Sequence, residues 1–580
     1  MKKSACPLDC YDACSVIYED GKLKGEPEHP ITRGSLCPNL NAFLKTPRIE
    51  MPIFRGDAIT MEEALEILTQ KLEECDPAKT LFFQGSGNFG KMQDVTRLFF
   101  GRYGATFTGG SLCDGAGAAG IEEGRGKNMI MTPEQIAKSD VVVVWGRNLT
   151  VTNSHLWPYI KDKILIVIDP VKTEIAKRAH IHIQLKPRSD IYLALLFIRF
   201  AYIEQMEDEA YIEAYTEDFS YFIDFARSYG MKKLMALVDA SIDDIMTALA
   251  LIEKQKVAFL VGVGVQKYTI GDAVLRAIDS FAAMLGLFGK EGCGVSYLGE
   301  SGLGFSDPFA LSNVKRIPKP TVNFGAFDLA FIQGANPAAQ MPDSNRVIEG
   351  LKRCGFSVYF GLYENETSEL ADLVIPAKTF LEKEDLRLSY GHEFVEDMPK
   401  LIESDTGISE YDLADNLCRR FGYEPLLSER EYIDRIIASN TTLKEGRLIS
   451  KSYEEIPYQD GFDTDDEAFL FIDTLDDSWK EEAGYHLITC KSRHSLNSQF
   501  ERQRYVWLPE SAGVEEGSFV RLSSPYGSAE FCVKICKDLR DDTILIYSGT
   551  SGVNRLTPSL LSNEGDSAVY QEVKIQLEKI

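Results

Sequence analysis

The sequence of 580 residues lacks a long apolar run. No stretch approaches the roughly 18 uninterrupted apolar residues that indicate a membrane-spanning helix. The opening segment MKKSACPLDC has two lysines but neither the apolar core of a secretory signal nor a twin-arginine pair. We therefore expect a cytoplasmic protein without direct membrane insertion.

Basic residues are also scarce. The chain has 62 Lys and Arg against 88 Asp and Glu, for a formal net charge of −26 at pH 7. Such a surface repels nucleic-acid phosphates and gains nothing from an anionic membrane, so we expect no nucleic-acid partner. The composition is otherwise that of an ordinary globular protein, and the length predicts roughly three to five domains.

Four of the twelve cysteines cluster near the N-terminus. Cys6, Cys10 and Cys14 have C-x3-C-x3-C spacing, and Cys37 follows later. Because disulfides are not expected in a cytoplasmic protein, metal or redox chemistry has to explain this group. Three thiolates on one loop and a fourth from a returning turn are typical of a [4Fe-4S] cluster. A zinc site, which usually has two pairs of cysteines, and unrelated buried cysteines remain alternatives.

A hairpin is predicted between the third and fourth of these cysteines. The segment VIYEDGKLKGEPEHP alternates like two short strands, with Asp20 and Gly21 at the turn. Such a hairpin would bring Cys37 back towards the first three cysteines.

Beyond Pro52 the pattern predicts α/β structure. A helix, MEEALEILTQKLEE, precedes a buried strand and glycine-rich loop, TLFFQGSGNFG. Further continuous apolar runs end in Gly, Asn, Asp or Pro: VVVVWGRN, ILIVIDP, VAFLVGVGVQ, LAFIQGANP and FSVYFGLYEN. Continuous runs predict parallel strands covered on both faces, hence a doubly wound sheet that binds ligands at the carboxyl ends of its strands.

The sequence pattern changes in the last third of the chain. Residues 401–480 are strongly acidic and predict a helical stretch followed by an exposed linker. From residue 485 onward, short strands alternate with turns, which predicts a C-terminal β-barrel.

The order of these features resembles the molybdopterin oxidoreductase family, the group related to dimethyl sulfoxide reductase, formate dehydrogenase and periplasmic nitrate reductase. The resemblance covers almost the whole chain. Its motifs follow the cysteine segment in the family's order: TPRIEMPIFR, GGSLCDGAGAAG, WGRN, IDP, PRSD, GVGVQK, QGANPAAQMPD, SRHSLNSQF and GVNRLT.

The resemblance implies a multidomain α/β architecture with a small iron–sulfur domain, doubly wound α/β domains and a C-terminal barrel. We predict an iron–sulfur domain at 1–50, an α/β domain at 51–108 plus 325–475, a pterin-dinucleotide-binding α/β domain at 109–324 and the barrel at 480–580. The implied cofactors are a [4Fe-4S] cluster and molybdenum or tungsten held by bis(molybdopterin guanine dinucleotide).

The implied activity is a two-electron oxygen-atom transfer or dehydrogenation of a small-molecule substrate. Electrons would pass through the cluster to an electron-transfer protein or redox partner subunit. Two alternatives stay open: a non-catalytic electron-transfer subunit of the same fold that carries the cluster, and a non-redox hydration on the same cofactor.

The resemblance also assigns site residues. Cys113 is the expected catalytic metal ligand, because a thiolate suits a metal that already carries dithiolene sulfurs, and Asp114 is the alternative ligand. The expected cofactor-binding residues are Gly85, Asn148, Asp169, Asp190, Gly262, Gly334, Asn336, His494 and Asn554.

Some of these residues have a physical rationale of their own. Asp169 follows an apolar strand, where a carboxylate can accept from ribose hydroxyls, with an aspartate that only stabilises the turn at the strand end as the alternative. Asp190 is placed to accept from a guanine amino group, with a helix N-cap as the alternative. Gly85 and Gly262 would let backbone N–H groups approach phosphate.

Two positions depart from the family pattern. Many members have a lysine one or two positions after the fourth cysteine, between cluster and pterin, whereas Pro38 and Asn39 follow Cys37 here. Formate dehydrogenases tend to have histidine directly after the metal ligand. Asp114 at that position argues against formate as the substrate.

Overall fold

The computed structural model describes residues 2–87, 89–299 and 302–580, which form two compact units. Unit 1 comprises Met1–Gly110, Ser301–Ser452 and Arg493–Arg502, and unit 2 comprises Ser111–Glu300, Tyr453–Ser492 and Gln503–Ile580. The finer division into four domains stays a prediction.

The strands are short and occur along the whole chain. They are β1 (Lys2–Ala5), β2 (Ser15–Glu19), β3 (Lys22–Gly25), β4 (Ile53–Phe54), β5 (Asp57–Ala58), β6 (Thr80–Gln84), β7 (Thr106–Gly109), β8 (Val141–Trp145), β9 (Ile164–Ile168), β10 (Ile181–Ile183), β11 (Thr216–Glu217), β12 (Val257–Val261), β13 (Gly294–Ser296), β14 (Arg316–Pro318), β15 (Leu329–Gln333), β16 (Phe356–Gly361), β17 (Leu373–Pro376), β18 (Asp385–Leu388), β19 (Val395–Met398), β20 (Thr441–Lys444), β21 (Arg447–Ser450), β22 (Phe469–Leu470), β23 (Tyr485–Cys490), β24 (Ser495–Leu496), β25 (Gln499–Phe500), β26 (Tyr505–Leu508), β27 (Phe519–Ser524), β28 (Gly527–Ile535), β29 (Thr543–Tyr547) and β30 (Lys574–Lys579).

The α-helices lie between residues 38 and 440. They are α1 (Pro38–Phe43), α2 (Met61–Glu74), α3 (Thr96–Tyr103), α4 (Gly115–Arg125), α5 (Pro133–Ala137), α6 (Leu149–Thr152), α7 (Trp157–Ile160), α8 (Asp190–Ile203), α9 (Glu209–Tyr215), α10 (Phe219–Ser228), α11 (Met231–Val238), α12 (Ile242–Ile252), α13 (Gly271–Met284), α14 (Pro337–Gln340), α15 (Ser344–Arg353), α16 (Glu410–Arg420) and α17 (Glu429–Asn440).

Unit 1 is built on a mostly parallel sheet with the strand order β14-β7-β6-β15-β16-β17-β4-β5. Central strand β15 pairs in parallel with β6 and β16, and all three are buried along their length. Continuous apolar runs suit strands covered on both faces, so the predicted parallel arrangement is confirmed. Helix α2 spans the segment predicted from its helical spacing, and a capping box at Thr60 and Glu63 fixes its start.

The N-terminal segment of unit 1 forms a separate antiparallel sheet, β1-β2-β3. Glu19 pairs with Lys22 across a two-residue turn, in which Asp20 has φ +51° and Gly21 has φ +74°. Two consecutive residues with positive φ are typical of a type I′ hairpin turn, which matches the twist of the flanking strands. The predicted hairpin is therefore confirmed.

Unit 2 contains a five-stranded parallel sheet and a barrel. The sheet order is β10-β9-β8-β12-β13, and the barrel closes in the order β23-β29-β26-β28-β27-β30. The predicted C-terminal β-barrel is therefore confirmed. Closure leaves no strand edge open, and the inward apolar side chains form one core.

The expectation of an exposed linker after the acidic helices is wrong in part. Acidic residues such as Asp465 and Asp466 are exposed, but the aromatic residues near them are buried. Phe471 stacks on Phe222 at 4.5 Å, and Phe469 stacks on Phe288 at 5.9 Å. These rings bury enough apolar surface to hold the segment within unit 2 in spite of its charge.

No helix in the described part of the chain has the length and apolarity needed to cross a membrane.

A buried ion pair joins α4 and α13 inside unit 2. Arg125 Nε donates to Asp279 Oδ2 at 2.8 Å, and both side chains are fully buried. Arg125 also donates to the Tyr458 hydroxyl at 3.2 Å, and its guanidinium lies 5.2 Å from the centre of the Phe288 ring. A charge at such a depth depends on its partner, because water cannot reach it.

We expect Asp279→Ala to lower the free energy of unfolding by about 3–5 kcal/mol, because it leaves the Arg125 charge buried and unpaired. Chemical denaturation followed by circular dichroism measures the change. The control is Asp224→Ala, which removes an exposed ion pair with Arg227 and should shift the denaturation midpoint little. Equal midpoints for the two variants would contradict the interpretation.

Candidate cluster and cofactor sites

The four N-terminal cysteines come together in unit 1. Cys6 and Cys14 are buried, Cys10 and Cys37 are half-buried, and the Cys6 amide donates to the Cys14 carbonyl at 2.8 Å. Burial raises the pKa of Cys6 to about 12, and charge on Cys37 adds to the effect. Burial likewise raises the pKa of Cys10 and Cys14, and charge on the other cysteines contributes in both cases. The four thiols are thus near neighbours.

The donor chemistry of this group fits an iron–sulfur cluster. Buried thiols with raised pKa values stay protonated at neutral pH unless a cationic centre compensates the thiolate charge. Within residues 2–87, 89–299 and 302–580 no three His, Cys, Asp or Glu side chains are grouped to hold a metal ion. That finding concerns a single ion, which all its ligands contact. In a cubane each cysteine binds a different iron, so the four sulfurs need not meet at one point.

Gly85 and Gly334 meet in unit 1, directly after strands β6 and β15. A Cβ atom on Gly85 would lie 2.6 Å from the Gly334 carbonyl oxygen, and Gly334 has φ +55°. Both positions therefore need glycine for the packing of the strand ends. Their predicted contact with the cofactor is compatible with this arrangement and stays a prediction.

Asn336 is buried in unit 1 and hydrogen-bonded by its neighbours. Its Nδ2 donates to Glu366 Oε2 at 2.8 Å and to Ser498 Oγ at 3.1 Å, and its Oδ1 accepts from Thr367 Oγ1 at 2.9 Å. The amide therefore organises the loop around it. His494 is exposed in the loop before β24. The cofactor roles of both residues stay predictions.

In unit 2 a short loop presents Cys113 just before helix α4. Ser111 Oγ accepts from the Cys113 and Asp114 amides at 2.9 and 3.1 Å and donates to Asp114 Oδ1 at 2.9 Å. The loop is thus held by one hydroxyl, and the Cys113 side chain is half-buried. The Asp114 carboxylate accepts this hydrogen bond from Ser111.

Two side chains from the segment after β12 hold the Cys113 backbone. Lys267 Nζ donates to the carbonyl oxygens of Cys113 and Leu112 at 2.9 and 3.2 Å, and Gln266 Nε2 also donates to the Cys113 oxygen. Burial lowers the pKa of Lys267, while charge on Cys113 opposes this. Both residues belong to the motif GVGVQK, but neither was predicted as a site residue, because nothing local in the sequence distinguishes them.

Asp169 and Asp190 lie near one another in unit 2. Asp169 follows β9 and its Oδ1 accepts from the Val171 amide at 2.8 Å, while Asp190 Oδ1 accepts from Trp145 Nε1 at 2.8 Å. Burial raises the pKa of Asp169 to about 7, with charge on Asp190 adding to it, and burial raises the pKa of Asp190 to about 6. The N-cap alternative is wrong, because Ser189 is the N-cap of α8 and Asp190 is its first residue.

These two carboxyl groups fit a nucleoside. Each is buried, and no basic side chain is paired with either within the described chain. A buried carboxylate can accept several hydrogen bonds but loses those from water. Ribose hydroxyls or the N–H groups of a guanine edge would replace them. Both lie by the carboxyl ends of parallel strands, where such sheets bind ligands.

The remaining predicted residues of unit 2 are Asn148, Gly262 and Asn554. Asn148 is half-buried after β8 and accepts from Thr150 Oγ1 at 2.8 Å. A Cβ atom on Gly262 would lie 2.2 Å from the Gly146 carbonyl oxygen, so glycine lets two neighbouring strand ends approach. Asn554 is buried, and its Oδ1 accepts from Thr557 Oγ1 at 3.3 Å. Their cofactor contacts stay predictions.

Comparison with known proteins places this architecture in a family. Residues 48–406, more than half of the chain, match the family model for molybdopterin oxidoreductase. The chain belongs to the molybdopterin oxidoreductase family, as the order of its motifs predicts. The predicted fold class and enzyme class are thereby confirmed.

Individual relatives are distant. Two proteins of Bacillus subtilis (strain 168), the probable oxidoreductases YyaE and YoaE, are 26% and 25% identical, and the alignments cover 100% of this chain and 99% and 98% of theirs. The F420-dependent formate dehydrogenase subunit alpha of Methanocaldococcus jannaschii is 25% identical over 65% of this chain and 64% of its own length. Acetylene hydratase from Pelobacter acetylenicus has the same fold, with a TM-score of 0.80 at 16% identity over 100% of both chains.

The buried carboxyl group of Asp169 generates a pH prediction for protein prepared without cofactor. Its pKa in the fold is about 7 against an ordinary 3.8, so the folded state holds the proton more tightly and loses stability as pH rises from about 4 to 7. Asp169→Asn keeps the oxygen that accepts from Val171 and cannot ionise. We expect its melting temperature to equal that of the parent below pH 4 and to exceed it increasingly up to pH 7.

Thermal melts across this pH range measure the difference. The control is Asp162→Asn, which changes an exposed carboxyl group of the same unit and should give no such trend. A constant difference between the Asp169→Asn variant and the parent at all pH values would contradict the prediction.

Proposed function

We propose that the protein is a molybdenum or tungsten enzyme whose metal is held by bis(molybdopterin guanine dinucleotide). It carries out a two-electron oxygen-atom transfer or dehydrogenation on a small-molecule substrate. The observation that carries the proposal is that a member of this family has both a half-buried Cys113 and a group of four buried or half-buried cysteines. The proposed cellular location is the cytoplasm.

Cys113 is the proposed metal ligand. Its thiolate is a soft donor, and the cofactor, when bound, supplies a metal that exchanges two electrons with the substrate. Ser111 fixes the loop through two amides, and Lys267 and Gln266 hold the Cys113 carbonyl oxygen. These contacts orient the sulfur before any ligand arrives. Positioning of this kind is what a protein contributes to cofactor chemistry.

The cofactor's nucleotide ends are assigned to the strand-end residues of each unit. Asp169 and Asp190 accept hydrogen bonds from ribose and guanine, since burial leaves both carboxyl groups in need of donors. Gly85, Gly262 and Gly334 let the backbone approach phosphate closely. Asn148, Asn336, His494 and Asn554 complete the proposed set of contacts.

Cys6, Cys10, Cys14 and Cys37 would hold the proposed [4Fe-4S] cluster, which would supply one-electron transfer. The raised pKa values of Cys6, Cys10 and Cys14 follow from burial and from charge on neighbouring cysteines, and the cationic core of a bound cluster would relieve both effects. A single cluster has to pass its electrons onward, so the proposal includes an electron-transfer protein or a redox partner subunit. Asp114 beside Cys113 disfavours formate as the substrate.

Anaerobically purified protein should contain about four irons and about one molybdenum or tungsten per chain. Elemental analysis measures these directly. Iron without either heavy metal, from cells that load other enzymes of this family, would favour a non-catalytic electron-transfer subunit. Zinc alone would overturn both interpretations.

Cys113→Ala should remove one sulfur from the coordination sphere of the heavy metal and leave the iron content unchanged. X-ray absorption at the molybdenum or tungsten edge counts the sulfur ligands. The matched control is Cys532→Ala, a half-buried barrel cysteine whose thiol donates to the Gly517 carbonyl oxygen. An unchanged sulfur count in the Cys113 variant would assign the metal to another ligand, with Asp114 the first to test.

A further inference from the structure

A segment of unit 1 that is distant in sequence lies against the loop bearing the first three cysteines. This clamp segment, residues 385–392, comprises β18 and the turn after it. Ser389 Oγ donates to the Tyr11 carbonyl oxygen at 3.0 Å, and His392 Nε2 lies 2.9 Å from the Asp12 carbonyl oxygen. The clamp segment thus contacts the carbonyl oxygens of the backbone between Cys10 and Cys14.

Arg387 makes the most extensive of these contacts. Its Nε donates to the Cys6 carbonyl oxygen at 3.1 Å, and its Nη2 donates to the carbonyl oxygens of Leu8 and Cys10 at 3.1 and 3.0 Å. Its Nη1 donates to the Phe89 carbonyl oxygen at 3.0 Å. Four of the five guanidinium N–H donors are therefore used, and three of them bind the cysteine loop.

The charge of Arg387 is buried without an anionic partner among the described residues. The residue is 1% exposed and forms no ion pair with the residues that the structure describes. All its acceptors are neutral carbonyl groups, and its guanidinium lies 4.6 Å from the centre of the Phe89 ring. Burying an unpaired cation is costly, so this arrangement is expected where a negative charge is supplied from elsewhere.

The sequence just after Cys37 does not supply a buried positive charge of this kind. Pro38 and Asn39 follow Cys37, so the position next to the fourth cysteine has no lysine. Lys45 is exposed just beyond the end of α1. Arg387 is the buried cation whose hydrogen bonds reach the backbone of two of the four cysteines.

We propose that Arg387 is a positioning residue for the iron–sulfur cluster: its guanidinium shapes the cysteine loop, and its charge favours the reduced cluster. The inference rests on the cluster of the proposed function. A cluster held by four thiolates becomes more negative by one charge when it accepts an electron, here from the metal site or from added dithionite. A fixed cation beside it stabilises that form and raises the reduction potential.

Two substitutions separate the hydrogen bonds from the charge. Arg387→Gln removes the charge, whereas Arg387→Lys keeps the charge and loses the planar fork that binds several carbonyl groups. The control is Arg346→Gln, because this half-buried arginine of the same unit donates to the carbonyl groups of Pro320, Thr321 and Val322, outside the cysteine loop. Iron content and the midpoint potential of the cluster, from redox titration followed by electron paramagnetic resonance, are measured for all three and for the parent.

We expect Arg387→Gln to lower the equilibrium constant for cluster reduction about tenfold, a shift of ~59 mV to more negative potential for a one-electron couple. Arg387→Lys should keep a potential near that of the parent but lose iron more readily to a chelator, and Arg346→Gln should match the parent in both. If the glutamine variant loses its iron during purification while Arg346→Gln keeps it, the positioning role is supported.

Full iron content with an unchanged potential in Arg387→Gln would overturn the inference. A parent protein without iron would instead refute the proposed cluster, so the two failures are distinguishable.

Discussion

Desolvation of ionisable groups is the constraint on which both candidate sites depend. In unit 1 it raises the pKa of the thiols of Cys6, Cys10 and Cys14, and in unit 2 it raises the pKa of the carboxyl groups of Asp169 and Asp190. A fold that buries such groups loses free energy unless something restores their interactions. The cationic core of an iron–sulfur cluster would do so for the thiols, and hydrogen-bond donors of a nucleotide would do so for the carboxyl groups.

The same constraint is met in two other ways elsewhere in the chain. Arg125 and Asp279 are buried as an ion pair, so each charge is compensated inside the protein. Arg387 is buried among carbonyl oxygens, which solvate a cation without neutralising it. Arg125 therefore joins two helices, whereas the charge of Arg387 remains available to a neighbouring group.

Parallel sheets provide the places where these groups lie. Strands β8, β9 and β12 are buried on both faces, so polar residues can follow them only at their ends. Asp169, Asn148 and Gly262 all lie directly beyond such ends or within three residues of them. Close approach of neighbouring strand ends also explains the glycines, since a Cβ atom on Gly262 or Gly85 would collide with a carbonyl oxygen. The packing of the sheet therefore prepares the surface to which a ligand can bind.

The sequence by itself determined the main buried strands, the hairpin at Asp20 and Gly21, the parallel sheets, the barrel and the family, because hydrophobic periodicity and turn residues are local signals. It also identified the cysteine group, since spacing is visible in one dimension. The prediction of an exposed linker after the helical stretch of residues 401–480 was wrong in part, because the burial of Phe469 and Phe471 depends on partners such as Phe288 and Phe222. Only the tertiary structure decided that Lys267 holds the Cys113 loop and that Arg387 reaches Cys6, 381 residues away. Contacts across such separations leave no periodic or local trace in a single sequence, because they arise when independently formed elements pack together.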